Sequence, residues 1–287
     1  MPGGPAPSGS RRATGILASI RRYEPPGAVA AGVTDRDDAG LAAAVAALAD
    51  REYETAGDSY TRAAWRGLAE PREDRGPFVA DEKGWVGKPL AHLAAAAVAY
   101  RVAGRDARAK RRGVEGVAVA RDLGTALDHP TQAACLVEFV ADFRVAGGMD
   151  GAAGAYEEAA DAYRDAAGAI DDPRARATTP LFGAAAETVK QVARGLANGE
   201  IAVTWEDLHG DDPGDPGAFL ARRATYKRGR FPSLIERAVA EGHLAAPRGT
   251  TAYGTDAHRC PECGSTDVNW IADATLCLRC SAPTERR

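Results

Sequence analysis

The residues with the clearest chemistry lie near the end of the chain: Cys260, Cys263, Cys277 and Cys280. They form two Cys-x-x-Cys pairs separated by thirteen residues. Two residues between cysteines let both sulfurs of a pair turn toward one ion, and the second pair supplies the other corners of a tetrahedron. Four thiolates saturate Zn2+ and leave no position for a substrate water, so the role expected is structural. Four of the five cysteines fall in the last 28 residues of a 287-residue chain. That clustering points to metal binding, not disulfides, and to a reducing, cytoplasmic setting. An iron site takes the same four thiolates, so spacing leaves zinc against iron open. A thiol redox pair is disfavoured, because no βαβ pattern surrounds the motif. His258, two residues before Cys260, is a replacement ligand only if a cysteine fails. Cys135, in an apolar stretch, reads as a small buried hydrophobe.

Those sulfurs need a scaffold. Gly264 follows the first pair and permits the tight turn of a knuckle. Between the pairs, residues 267–271 and 274–276 suit a hairpin with Ala272-Asp273 at its turn. The string Cys260-Pro-Glu-Cys263-Gly264, with the second pair, resembles the zinc-ribbon family over about 25 residues. The resemblance implies a small β module that holds its shape through its metal. Trp270, midway along it, packs on the hairpin or presents a face to a partner.

The rest of the chain is Ala-rich and aromatic-poor, with 63 Ala and 6% aromatic residues, which favours close-packed helices over a sandwich. Hydrophobic residues make up 45%, enough for a sizeable core. Net charge is −4, so no global basic footprint for nucleic acid exists. No apolar run of 18 residues is present to span a membrane. Apolar residues at spacings of three and four over residues 35–197 predict helix hairpins. Tyr53-Glu-Thr-Ala-Gly57 is echoed by Tyr100-Arg-Val-Ala-Gly104 and Phe143-Arg-Val-Ala-Gly147, with a degenerate copy at Gln191–Gly195. Each Gly is expected to cap a first helix and turn the chain into a second, at 59–70, 106–127 and 151–169. Tyr156 and Tyr163, seven apart, share a face that fills the seam. Pro-rich loops at 71–77, 128–130 and 171–180 separate the hairpins. His92, in an apolar helix, reads as a core histidine, and His129 as part of a cap.

The strings Ala56-Gly-Asp-Ser-Tyr-Thr-Arg-Ala63 and Tyr156-Glu-Glu-Ala-Ala-Asp-Ala-Tyr163 resemble the tetratricopeptide-repeat superfamily, especially its long-helix, attachment-protein-like members. The resemblance spans about 165 residues. It implies a concave surface that holds a protein partner, and no chemistry. A compact bundle is the alternative.

Residues 198–216 carry six acids and no Lys or Arg, and read as a solvated loop. Residues 217–248 reverse the sign, with seven basic residues against two acids. Two short helices are expected there, broken at Gly229–Pro232. Arg222, Arg223, Lys227, Arg228 and Arg230 lie near Tyr226 and Phe231. With Trp270, they are candidate nucleic-acid contacts. The competing expectation is that this segment pairs with the acidic stretch and docks the tail.

The chain therefore reads as mainly α: a helical-hairpin repeat array (a TPR-like α-solenoid) followed by a small β zinc ribbon. Its parts are a flexible N-terminal tail (1–33), a helical repeat domain (34–197), a charged connector with short helices (198–255) and the ribbon (256–287). The expected function is a non-catalytic adaptor that binds a protein through the repeat surface. The alternative is a nucleic-acid-associated regulatory factor. No catalytic motif stands out, and the oligomeric state is open.

Overall fold

A computed structural model describes residues 34–69, 86–126, 129–196 and 203–287. The N-terminal tail and the Pro71–Pro77 loop lie outside the described residues.

The described chain is mainly α-helical with a small C-terminal antiparallel sheet. Six helices run in succession: α1 (Thr34–Ala49), α2 (Tyr53–Ala69), α3 (Gly87–Val102), α4 (Asp106–Thr125), α5 (Pro130–Ala146) and α6 (Ala152–Asp165). Each packs on the next. One kind of turn closes the three hairpins α1/α2, α3/α4 and α5/α6. A left-handed residue follows the first helix, at Arg51 (φ 60°), Gly104 (φ 68°) and Gly148 (φ 62°). The next amide then reaches back to a carbonyl five residues earlier: Glu52 to Ala47, Arg105 to Tyr100 and Met149 to Arg144. These bonds satisfy carbonyls that a helix end leaves open.

This geometry corrects the expected register. Tyr100 and Phe143 stand near the ends of α3 and α5, but Tyr53 begins α2, and Gly57 lies inside that helix. The first turn falls at Arg51, where the sequence offers no glycine. Gly57 serves contact instead: a Cβ there would come within 2.7 Å of the Tyr100 ring. At the third turn the left-handed residue is Gly148, one beyond the expected Gly147.

After a short helix, α7 (Pro173–Ala177), α8 (Pro180–Ala193) lies against α3 and α5. A one-turn helix, α9 (Trp205–Leu208), precedes α10 (Pro216–Glu241). The two short helices expected over 217–248 are thus one 26-residue helix that carries Pro232 within it. Proline removes the amide that would serve the Arg228 carbonyl, and the Ser233 hydroxyl donates instead to the Arg230 carbonyl at 2.9 Å. Buried Phe231 and Ile235 flank the proline and hold the helix to the body. α10 packs on α6, α5, α8 and α3, so it belongs to the helical core. α3 and α5 are consequently buried along most of their length, and α8 packs against both.

The sheet is built from β1 (Thr250–Ala252), β3 (Val268–Ile271) and β4 (Ala274–Cys277), in the order β1-β3-β4. A second ribbon pairs β2 (His258–Arg259) with β5 (Glu285–Arg286). The β3–β4 hairpin turns at Ala272-Asp273, as expected, with Ala272 left-handed at φ 49°. Among the described residues no helix is long and apolar enough to cross a membrane.

Candidate metal centre

Two knuckles bring the four cysteines together. In the first, the Gly264 amide donates to the Cys260 carbonyl at 3.0 Å, and Gly264 is left-handed at φ 73°. In the second, the Ser281 amide donates to the Cys277 carbonyl at 3.0 Å, and Ser281 is left-handed at φ 62°. The two turns match although only one holds glycine. Ser281 has a second contact that offsets its conformational cost: its Oγ accepts the Ala246 amide at 3.0 Å.

The four Sγ atoms lie within 4.8 Å of one another. Cys260 is 3.5 Å from Cys280, Cys263 is 3.5 Å from Cys277, and Cys280 is 3.7 Å from Cys263. A tetrahedron with metal–sulfur bonds of about 2.3 Å has sulfur–sulfur edges of about 3.8 Å. These three edges come within about 0.3 Å of that length, and the remaining pairs lie within 4.8 Å. The Arg279 amide points at the Cys277 sulfur at 3.4 Å, the contact that stabilises a thiolate. The hydrogen bond with Cys280 lowers Cys277 to about 5 and raises Cys280. His258 does not join them: its Nδ1 pairs with the Thr284 hydroxyl at 3.3 Å and its ring meets Trp270 edge-on.

The four-cysteine module is fastened to the helices. Arg194, just past α8, is buried at 4% exposure. Its guanidinium donates to the Ala246 carbonyl at 2.7 Å and to the Leu278 carbonyl, within the second knuckle, at 3.0 Å. Gln191, one turn earlier, donates to the Ala245 carbonyl at 2.8 Å. Leu276 of β4 is part of the helical core itself. Burial, with Arg248 nearby, lowers Arg194 to about 10, and Tyr253 and Cys277 only partly oppose this.

The candidate nucleic-acid contacts divide. Arg223 and Lys227 are 1% exposed and point into the body. Arg223 Nε and a terminal nitrogen donate to Glu138 at 2.7 and 2.9 Å. Lys227 Nζ meets Glu138 at 2.7 Å and Asp142 at 2.6 Å, and also donates to the Ala185 carbonyl. The hydroxyls of Tyr163 and Tyr156 donate to Glu138 at 2.8 Å and Asp142 at 2.6 Å. These two arginine and lysine side chains are therefore interior ion partners, not contacts for an external phosphate. Their acids lie on α5, not on the acidic 198–216 stretch. Arg228 pairs with Glu157 at 2.6 Å on the surface. Arg222 and Arg230 are exposed, and Trp270 is 36% exposed on the ribbon.

This four-charge cluster was not read from the sequence. A signal was present: Glu138 and Asp142 are four apart within an apolar run, and Arg223 and Lys227 are four apart on α10, so each pair shares a helix face. Burial pushes Glu138 up, but Arg223 and Lys227 outweigh it and hold the carboxyl at about 2. For Asp142, burial reinforced by Glu138 outweighs Lys227 and raises it to about 6. Burial likewise pushes the Cys135 thiol up to about 12, against the pull of Arg223. Tyr156 and Tyr163 do fill the seam, fully buried, and His92 is half-buried with its ring 5.7 Å from that of Tyr60. His129 occupies the N-cap position of α5 without a capping bond from its side chain.

No family model matches this chain, and no curated protein or solved structure matches it either.

Proposed function

We propose that this protein is a non-catalytic scaffold that binds a protein partner and carries one structural zinc ion in its C-terminal ribbon. The observation that carries the reading is the fit of four convergent sulfurs to a closed tetrahedron, in a module bolted to the helices through Arg194, Gln191 and Ser281. Cys260, Cys263, Cys277 and Cys280 would hold the metal. Zinc there supplies folding free energy and no reaction. The shared hairpin turns support an array of the tetratricopeptide-like kind for α1–α6. Because α8 packs against α3 and α5, the partner surface we propose is the outer one, on α4. There Val114 is 53% exposed, on a helix that buries only Ala109, Gly113, Gly116 and Ala120. Withdrawal of Arg223 and Lys227 into the core weighs against the nucleic-acid alternative.

The test compares wild-type protein with Val114→Glu as bait at native salt, alongside a strand-shift assay at low salt. A protein captured in stoichiometric amount by wild type and lost with Val114→Glu supports the proposal. Equal capture by both baits overturns the α4 surface. A strand shift by the purified chain would replace the protein partner with a nucleic acid.

A further inference from the structure

A pocket of about 300 Å³ opens where α3, α8 and the chain entering the ribbon meet. That volume sits at the lower end of small-molecule sites, which run from roughly 300 to 1,000 Å³. Leu41, Ala91, Ala95, Pro247 and Ile271 make its wall apolar, and Tyr60 and His92 add rings. Its charges are lopsided: Lys88, Lys190, Arg194 and Arg248 line it against one acid, Glu187. Lys88 and Lys190 interact with Glu187. Arg194 and Arg248 have no carboxylate partner among the described residues. Arg248 donates to the hydroxyls of Thr251 and Tyr253 at 3.2 and 2.8 Å. Among the described residues Arg194 donates to two carbonyls, while its Nε is sealed from solvent without a hydrogen-bond partner.

Four cations against one carboxylate around an apolar-walled cavity give it a potential that favours an anion. We infer that this pocket binds a small organic anion, with an apolar body against the wall and an acidic head toward Arg194, Arg248 and Lys190. The site goes beyond the scaffold reading and does not depend on it, since α4 contributes no residue to the lining.

The head is a carboxylate or a phosphate, and calorimetric titration of the full chain at low ionic strength separates them. The probes are 4-phenylbutyrate, 4-phenylbutyl phosphate, 4-phenyl-1-butanol and inorganic phosphate. At least one of the two amphiphilic anions should bind ten or more times tighter than both the alcohol and inorganic phosphate, and the tighter of the two names the head. Two exposed side chains test the charge logic without disturbing the Arg194 anchor. Lys190→Glu should weaken the anion about tenfold, and Glu187→Gln should tighten it about threefold. Neither should change the affinity for the alcohol. Equal binding of anion and alcohol, tighter binding of inorganic phosphate, or an indifferent Lys190→Glu would overturn the inference.

Discussion

Replacing Glu138 by Gln keeps the side chain's volume and removes its charge. In the native protein two acids and two bases are sealed together, each 2% exposed or less. Glu138 takes bonds from Arg223, Lys227 and Tyr163. The variant leaves Asp142 alone against two buried cations. Breaking one partner of a buried ion pair costs about 3–5 kcal/mol, because the survivor stays desolvated. That is a large part of a domain's roughly 5–15 kcal/mol. In urea, with a slope near 3 kcal/mol per molar, the midpoint should fall by about 1–1.7 M. Removing both ends of the Arg223–Glu138 pair should hurt less. Glu138→Met with Arg223→Met leaves Asp142 and Lys227 matched at 2.6 Å, so the double variant should be more stable than either single one. A single-variant cost under about 1 kcal/mol, or a double variant equal to the sum of the singles, would refute the view that these four charges act as one buried unit.

Helix contact gives a second test. A Cβ on Gly116 would lie 2.3 Å from the Phe143 ring, whereas Gly154 faces open space. By urea denaturation Gly116→Ala should therefore cost about 1–3 kcal/mol through overpacking between α4 and α5. Gly154→Ala, inside α6, should gain up to about 1 kcal/mol, and equal effects would contradict the packing. Acid sensitivity follows from His209 and His243, which burial lowers from 6.5 to about 4. Each takes up a proton on unfolding between those values, so its stabilisation is complete above pH 6.5 and is lost as pH falls toward 4. Asp142, raised from 3.8 to about 6, acts oppositely over pH 6 to 3.8, as does Glu187, which burial raises, whereas burial lowers His129 in the same sense as the other two histidines. The urea midpoint should drop between pH 7 and 4.5, and His209→Gln with His243→Gln should flatten that drop. Cys277→Ser should lose the metal and also lower the stability of the helices, since Leu276 and the Arg194 anchor tie the two parts; an unchanged helical transition by circular dichroism would show that the ribbon is independent.

Legibility in the sequence tracked how local the determining contacts are. The β3–β4 hairpin, its turn and the four sulfurs were readable because knuckle and turn are set by neighbours in the chain. β1 was not, because its pairing with β3 joins Thr250 to Trp270 across the knuckle. Pro232 and Gly229 read as a break, yet burial of Phe231 and Ile235 overrides both, and that burial exists only once α10 meets the body. The basic run misled for a related reason. Composition counts Arg223 and Lys227 with Arg222 and Arg230, and only the helical face, set by α5, separates interior from exterior. Arg51 taking the left-handed turn position that Gly104 and Gly148 hold elsewhere is a tertiary choice with no local marker.

The most direct test of the account is the metal itself. Elemental analysis and zinc-edge X-ray absorption of protein purified without added metal should give one zinc per chain, surrounded by four sulfurs at about 2.3 Å. Protein that folds with no bound metal, or with nitrogen or oxygen in the sphere, would contradict it.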